Sequence, residues 1–427
     1  VDQTPATPTI VDIAIIGSGA AGLFAGIWAG RTSAPAALSI LALDGAKKLG
    51  AKILVAGGGR CNVTHHAVDE HQYAGSSRNA IKKVLRRFDV PQTIDFFREL
   101  GVHLKREDTG KLFPTTDDAH TVLNALLDAS RRAGVELRYP WRVASVTREE
   151  GSFVIQGESP LLALRARRVI LATGGMALPK TGSDGHGYSI ARALGHTVTP
   201  RVFPALVPLT IPKDHWICSL SGITLITTLE LRSATNKKLK YFTNSTLCTH
   251  FGLSGPGPLD ISRYYTASKH EDAGTRLVMN WLPGETIESI DAALQQLGKV
   301  SPGRLLRERG LPDRVAEAIC QAAGVDPAAP GHTMIRDNRK NLAQMIVETP
   351  LPISGDRGFT YAEVTAGGVP LGEIHLETME SRVCPGLYLC GEICDVDGRI
   401  GGFNFQWAWA SGFVAGTSAA KAIFSDA

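Results

Sequence analysis

The chain is expected to fold as an α/β protein built on a dinucleotide-binding Rossmann domain that a second, β-rich segment interrupts. Three observations carry that expectation. A buried apolar strand runs straight into Gly17-Ser18-Gly19-Ala20-Ala21-Gly22 and then into a small-residue helix. A second apolar strand follows and closes a βαβ unit. Buried strands of the same parallel type return near residue 170 and again near residue 388, on either side of a stretch of different character.

The 427 residues are 44% hydrophobic and 20% charged, enough apolar material for two or three domains. The net charge of +4 gives no pointer to nucleic acid or to an anionic membrane. The basic clusters are short, Lys82-Lys83 with Arg86-Arg87 and Lys237-Lys238 with Lys240; the first, on a helical pattern, reads as a solvated face. The start, Val1-Asp2-Gln3-Thr4-Pro5, has no basic segment followed by an apolar one, and no run of about 18 apolar residues occurs. Seven cysteines lack the spacing of a disulfide framework. A cytoplasmic protein with no membrane and no nucleic-acid partner is the expectation.

Along the chain, residues 11–16 are the first strand and Ala20 to Arg31 the first helix. Residues 38–43 are the second strand, and 45–64 are glycine-rich. Helical spacing covers 77–88 and 91–100, with Pro91 in a first-turn position. Asp117 is a candidate cap for a helix ending near Gly134, and a strand is expected over 135–139. Residues 142–147, 152–156 and 161–166 suggest a small antiparallel sheet, and 168–172 a buried parallel strand. From Pro200 prolines cluster and β-type alternation takes over at 222–232, 239–242 and 275–281; residues 285–345 turn helical, with Pro302, Pro312, Pro327 and Pro330 as punctuation. The expected division is 1–199 and 366–427 for the two parts of the nucleotide domain, 200–284 with return strands at 346–365 for a β domain, and 285–345 for a helical domain.

In the Gly17–Gly22 turn, Gly17 permits the tight bend. Gly19 lets a pyrophosphate approach the backbone, and Gly22 lets helix and strand come close. The helix N-terminus then offers N–H groups to phosphate. Asp44, at the end of the second strand, is placed to bind ribose hydroxyls. Gly57-Gly58-Gly59-Arg60-Cys61-Asn62 supplies open backbone beside a cofactor, with Arg60 a phosphate partner and Cys61 lining the site. Ala172-Thr173-Gly174-Gly175 ends a buried strand in small residues. Gly391-Glu392, then Gly401-Gly402-Phe403-Asn404 with Gln406, place a helix N-terminus where it could steady charge on a reduced ring.

This series resembles one family. Gly17–Gly22, Lys48-Leu49-Gly50 with Lys52, Gly57–Asn62, Ala172–Gly175, Thr249–Pro256, Val364-Thr365-Ala366-Gly367-Gly368-Val369, Pro385–Glu392 and Asp397-Gly398 with Gly401–Trp407 are similar to the three-domain bacterial FAD-binding flavoproteins related to aminoacetone oxidase, the YhiN-like group. The resemblance implies a glutathione-reductase-type FAD domain, an inserted antiparallel β-barrel-like domain and a small helical domain, with FAD held noncovalently. Asp44 departs from the family, where Glu is more usual. The candidate cofactor contacts are Gly17, Ser18, Gly19, Ala20, Ala21, Gly22, Asp44, Lys52, Gly58, Gly59, Arg60, Cys61, Asn62, Val143, Ala172, Thr173, Gly174, Gly175, Gly391, Glu392, Gly401, Gly402, Phe403, Asn404 and Gln406.

The expected activity is hydride transfer between a small-molecule substrate and FAD, as an amine oxidase using O2 or as an NAD(P)H-dependent reductase; a noncatalytic flavin-bound redox sensor stands beside them. No catalytic base and no oligomeric state is assigned. Cys390 and Cys394 are too far apart in sequence for a C-x-x-C dithiol. His65-His66, Asp69, Glu70 and His71 read as a solvated loop rather than a metal site. His250 either faces the ring or bonds a turn.

Overall fold

The structure is a computed structural model, and it describes residues 10–34, 36–159 and 163–425. The chain divides into two compact units: residues 1–204 with 363–427, and residues 205–362.

The first unit is organised by β1 (Ile10–Ile16), α1 (Ala20–Ser33) and β2 (Ile40–Leu43). β1 is apolar on both faces because it lies in the middle of a sheet. It pairs in parallel with strand Ala163–Leu171 on one side and β2 on the other. The parallel run extends to Val135–Arg138 beyond β2 and to Leu387–Leu389 beyond Ala163–Leu171. Thus a strand from the far end of the chain completes a sheet begun at residue 10. The segments expected at 161–166 and 168–172 are one strand, Ala163–Leu171. Its first half pairs antiparallel with Ser152–Gly157 and its second half is parallel. Residues 160–162 lie outside the described residues.

Two differences from expectation concern helices. The glycine-rich segment 45–64, to which the sequence assigns no helix, contains α2 (Ala51–Gly59), whose helical path breaks at Ala56, Gly57 and Gly58. Glycines mask the apolar Ile53-Leu54-Val55 run in sequence, yet Ile53 is buried and anchors the turn. The helix after residue 117 is capped by Asp118, whose side chain accepts from the His120 N–H; Asp117 instead takes positive φ.

Helix Phe403–Ser425 lies along α1. A Cβ on Gly416 would collide with the Ala25 carbonyl, so only glycine allows this approach. Phe24, Phe97 and Trp409 are fully buried between these helices, with ring centroids 5.2 Å (Phe24–Trp409) and 5.5 Å (Phe97–Trp409) apart. Each such ring contributes about 2–3 kcal/mol through burial. The indole N–H groups are satisfied: Trp409 donates to the Val63 carbonyl (2.8 Å) and Trp407 to the Gly391 carbonyl (3.0 Å). The same two residues that fill the core therefore also fix the backbone of two motif segments.

The second unit contains a seven-stranded antiparallel sheet ordered Thr349–Leu351, Arg276–Asn280, Thr224–Arg232, Lys238–Thr249, Gly252–Ser254, Leu209–Thr210 and Gly355–Asp356. Its helices include Pro256–Glu271, Ile287–Gln295, Asp313–Ala322 and Arg336–Val347. Its core gathers Trp281, Leu229, Leu277, Met279, Ile319 and Ile346. Among the described residues no helix is long and apolar enough to cross a membrane.

Candidate functional site

The turn between β1 and α1 shows why each glycine stands where it does. A Cβ on Gly17, whose φ is +98°, would sit 2.5 Å from the Ala172 carbonyl oxygen, and one on Gly22 would strike the Gly17 carbonyl. Gly19 is different: nothing lies within 4 Å of its would-be Cβ. Two glycines are therefore demanded by the protein's own packing, and the third leaves open space at the mouth of α1. No side chain caps that helix and no acid stands in its first turn. Its first N–H groups remain available to an anion, which the helix dipole also favours.

Asp44 follows β2 and braces this turn. Its Oδ2 accepts from the Ser18 N–H (2.8 Å) and its Oδ1 from the Ala46 N–H (2.8 Å). Each carboxylate oxygen keeps a lone pair for a further donor such as a hydroxyl. The Asp44 carbonyl accepts from the Trp141 N–H, which brings the strand starting at Val143 beside it.

Three buried polar atoms without a hydrogen-bond partner among the described residues fall on three of the motifs: Ser18 Oγ, Asn62 Oδ1 and Thr173 Oγ1. An unsatisfied buried group costs about 1–3 kcal/mol. A polar ligand threading these segments would relieve that cost. Gly58 and Gly59 add to the opening. Both have positive φ, and a Cβ on either would meet nothing closer than 3.9 Å. The residues present thus fit a cofactor carrying both phosphate and hydrogen-bonding ring groups.

The segments at the two chain ends share this region. A Cβ on Gly391 would stand 2.7 Å from Ala21 Cβ, in the first turn of α1. One on Gly412 would stand 2.8 Å from the Ala21 carbonyl oxygen. Asn404 precedes Gly412 by eight residues, so it lies ~12 Å further along the helix axis, past the start of α1. Lys52 Nζ reaches Glu392 Oε2 at 2.6 Å, an ion pair across 340 positions of sequence. Glu392 Oε1 accepts from the Thr365 N–H (3.0 Å), and Thr365 Oγ1 accepts from the N–H groups of Met176 (2.8 Å) and Ala177 (3.0 Å).

Several candidates prove to be occupied by the scaffold. The Arg60 guanidinium pairs with Glu107 (2.6 Å) and Asp117 (3.6 Å) and lies 4.0 Å from the Phe113 ring centroid. The two carboxylates raise its pKa, the Glu107 hydrogen bond most. The buried Gln406 amide donates to the Phe88 carbonyl (2.9 Å) and accepts from Thr64 (2.7 Å) and Thr93 (3.1 Å). Asn404 is doubly bonded to the Gly398 backbone. Phe403 stacks on His65, with centroids 4.9 Å apart, and accepts from the Tyr73 hydroxyl through its carbonyl. Desolvation lowers the His65 pKa. Burial pushes the Cys61 and Cys390 thiols up to about 12, and Cys394 well above its ordinary value.

Asp69, Glu70 and His71 cluster, but their side chains serve their own turn: Asp69 accepts from the His71 N–H, and Glu70 pairs with Lys82. His250 belongs to the second unit, exposed, with its ring edge-on to Phe251. Thr365 and Ser411, which accepts from the Gly391 N–H at 2.9 Å, are absent from the sequence-derived contacts. Thr365 stands inside a quoted motif, so a signal existed; nothing local marks Ser411.

The family description HI0933-like protein Rossmann domain matches residues 11–418. A 3-dehydro-bile acid delta(4,6)-reductase of Clostridium scindens is 34% identical over 413 residues, 96% of this chain and 99% of that protein. A ribosomal RNA dihydrouridine synthase of Escherichia coli is 33% identical over 405 residues, 94% and 96% of the two chains. Among solved structures, a quinol fumarate reductase of E. coli superposes with a TM-score of 0.50 at 16% identity, covering 99% of this chain and 72% of that one, a likeness of fold.

Proposed function

We propose that this chain, which belongs to the HI0933-like family of Rossmann-type FAD-dependent oxidoreductases, is a reductase of carbon–carbon double bonds conjugated to a carbonyl. One observation carries the reading. Two curated relatives, each matched over nearly its whole length, bear names that share this bond: a steroid ketone with double bonds at positions 4 and 6, and the uracil ring that becomes dihydrouracil. In the reaction we propose, a hydride adds to the carbon β to the carbonyl, or to the δ carbon of a conjugated dienone, and a proton adds to the other carbon of the same double bond. FAD, when bound, supplies two-electron redox chemistry, and an NAD(P)H-class donor supplies the electrons.

The chain's own residues support that division of labour. The uncapped start of α1 and the open Gly19 position suit a pyrophosphate. Asp44 suits a ribose hydroxyl, and the bare polar atoms of Ser18, Asn62 and Thr173 suit the remaining acceptors and donors. The cysteines support electron flow through flavin rather than a dithiol. All seven are free and buried, and burial raises the pKa of each, to about 12 at Cys61 and Cys390, which disfavours the thiolate that dithiol chemistry needs. Seven unpaired thiols also support a place in the reducing cytoplasm. The substrate class we favour is a small enone.

The test is anaerobic. NADH or NADPH should bleach the flavin absorbance, and a 4-en-3-one or 4,6-dien-3-one steroid should restore it with loss of enone absorbance. Restoration by uridine-containing RNA alone moves the substrate to nucleic acid while keeping the bond chemistry. Bleaching by primary amines with oxygen uptake, and no response to either unsaturated carbonyl, overturns the proposal in favour of an amine oxidase.

A further inference from the structure

Thr365 is 1% exposed, and its hydroxyl oxygen is fully used as an acceptor, by the N–H groups of Met176 and Ala177. Its own proton has no acceptor among the described residues. A buried hydroxyl donor left this way costs free energy unless something accepts from it. The residue is also held unusually firmly. Its N–H is fixed by Glu392 Oε1, and Glu392 is fixed and charge-balanced by Lys52. Gly175 is what allows the approach: a Cβ there would collide with Thr365 Oγ1 and stand 2.9 Å from Glu392 Oε1. The relay therefore joins four of the motif segments, around Lys52, Gly175, Thr365 and Glu392, beside Thr173 with its own unpartnered hydroxyl.

We infer that Thr365 is a cofactor-binding residue that donates its hydroxyl proton to an acceptor atom of the flavin, and that Lys52 and Glu392 are positioning residues that hold it there. Lys52 and Glu392 then act on each other rather than on the cofactor. This inference rests on the FAD reading of the site. Lys52 holds the Glu392 carboxylate in place through their ion pair, and the carboxylate orients the Thr365 backbone. The hydroxyl in turn fixes the 174–177 turn that walls the cradle. Removing any one member loosens the same contact.

The experiment uses the full chain. Thr365→Val keeps the shape and removes the hydroxyl; Thr365→Ser restores it. FAD affinity is read by titrating apoprotein, the position of the flavin absorption band by spectroscopy, and folding by thermal melting. Thr365→Val should bind FAD about tenfold more weakly with a displaced band, and Thr365→Ser should return within about threefold of the parent. Lys52→Met, at a partly exposed position, should weaken FAD in the same direction, and Lys52→Arg should do so less. Should Thr365→Val fail to fold, the Lys52 pair carries the test. Equal FAD affinity and an unmoved band in Thr365→Val and Lys52→Met overturn the inference, as does equal loss in Thr365→Val and Thr365→Ser. A parent protein that takes up no FAD removes the underlying reading instead, a result distinct from either.

Discussion

Gly19→Ala and Gly22→Ala separate the two reasons a glycine can stand in the β1–α1 turn. At Gly19 an added methyl meets no protein atom within 4 Å, and the residue's φ of −77° is open to alanine. Losing glycine at the cap position costs about 0.5–1 kcal/mol, while the stiffer unfolded chain returns about 0.4–1 kcal/mol. The apoprotein should therefore melt within about 3 °C of the parent. Bound FAD is another matter. A methyl at the closest backbone approach overpacks the pyrophosphate by about 1–3 kcal/mol, or roughly fivefold to 150-fold in affinity. At Gly22 the methyl lands on the Gly17 carbonyl, backbone against backbone, so the fold itself bears a similar or larger cost. Thermal melting of the apo forms and FAD titration of each measure the two effects independently. A Gly19→Ala protein that binds FAD like the parent, or that is destabilised as much as Gly22→Ala, refutes the reasoning.

Gln406→Leu should destabilise the fold by about 2–3 kcal/mol, because it leaves the Thr64 hydroxyl and the Phe88 carbonyl without their buried partner, while Thr93 keeps the Asp89 carbonyl; a urea midpoint unchanged from the parent would contradict this. The buried thiols make stability fall on the alkaline side. Cys61, Cys248, Cys320 and Cys390 rise from the ordinary 9.0 to about 12 in the folded chain, so above pH 9 the unfolded state loses protons that the native state keeps. The urea midpoint should drop between pH 8 and pH 10.5, and replacing Cys61 with Ala should reduce that slope. For the same reason a thiol reagent at pH 8 should label the native protein slowly and the urea-unfolded protein at once; rapid labelling of the native form would show the thiols to be accessible.

The glycine turn, the βαβ unit and the family were legible in the amino-acid order because their causes are local. A strand that ends in glycine and starts a helix has few alternatives, and the clash that demands Gly22 is with Gly17, five residues away, although Gly17 itself is also demanded by the distant Ala172 carbonyl. Asp44 was legible for the same reason, as a strand-end acid. What could not be read is set by contacts made across hundreds of residues. Arg60 looks free in sequence, yet the fold brings Glu107, Asp117 and the Phe113 ring to it. Asn404 and Gln406 look like ring contacts, yet their amides are consumed by Gly398, Phe88, Thr64 and Thr93. Lys52 and Glu392 find each other, and Thr365 is fixed between them. Backbone geometry follows from which residues are neighbours along the chain, but the partner of a long polar side chain is chosen only when distant segments meet. The sequence by itself thus determined the glycine turn and the βαβ unit around it; the tertiary structure decided which polar side chains there are engaged by the protein's own groups.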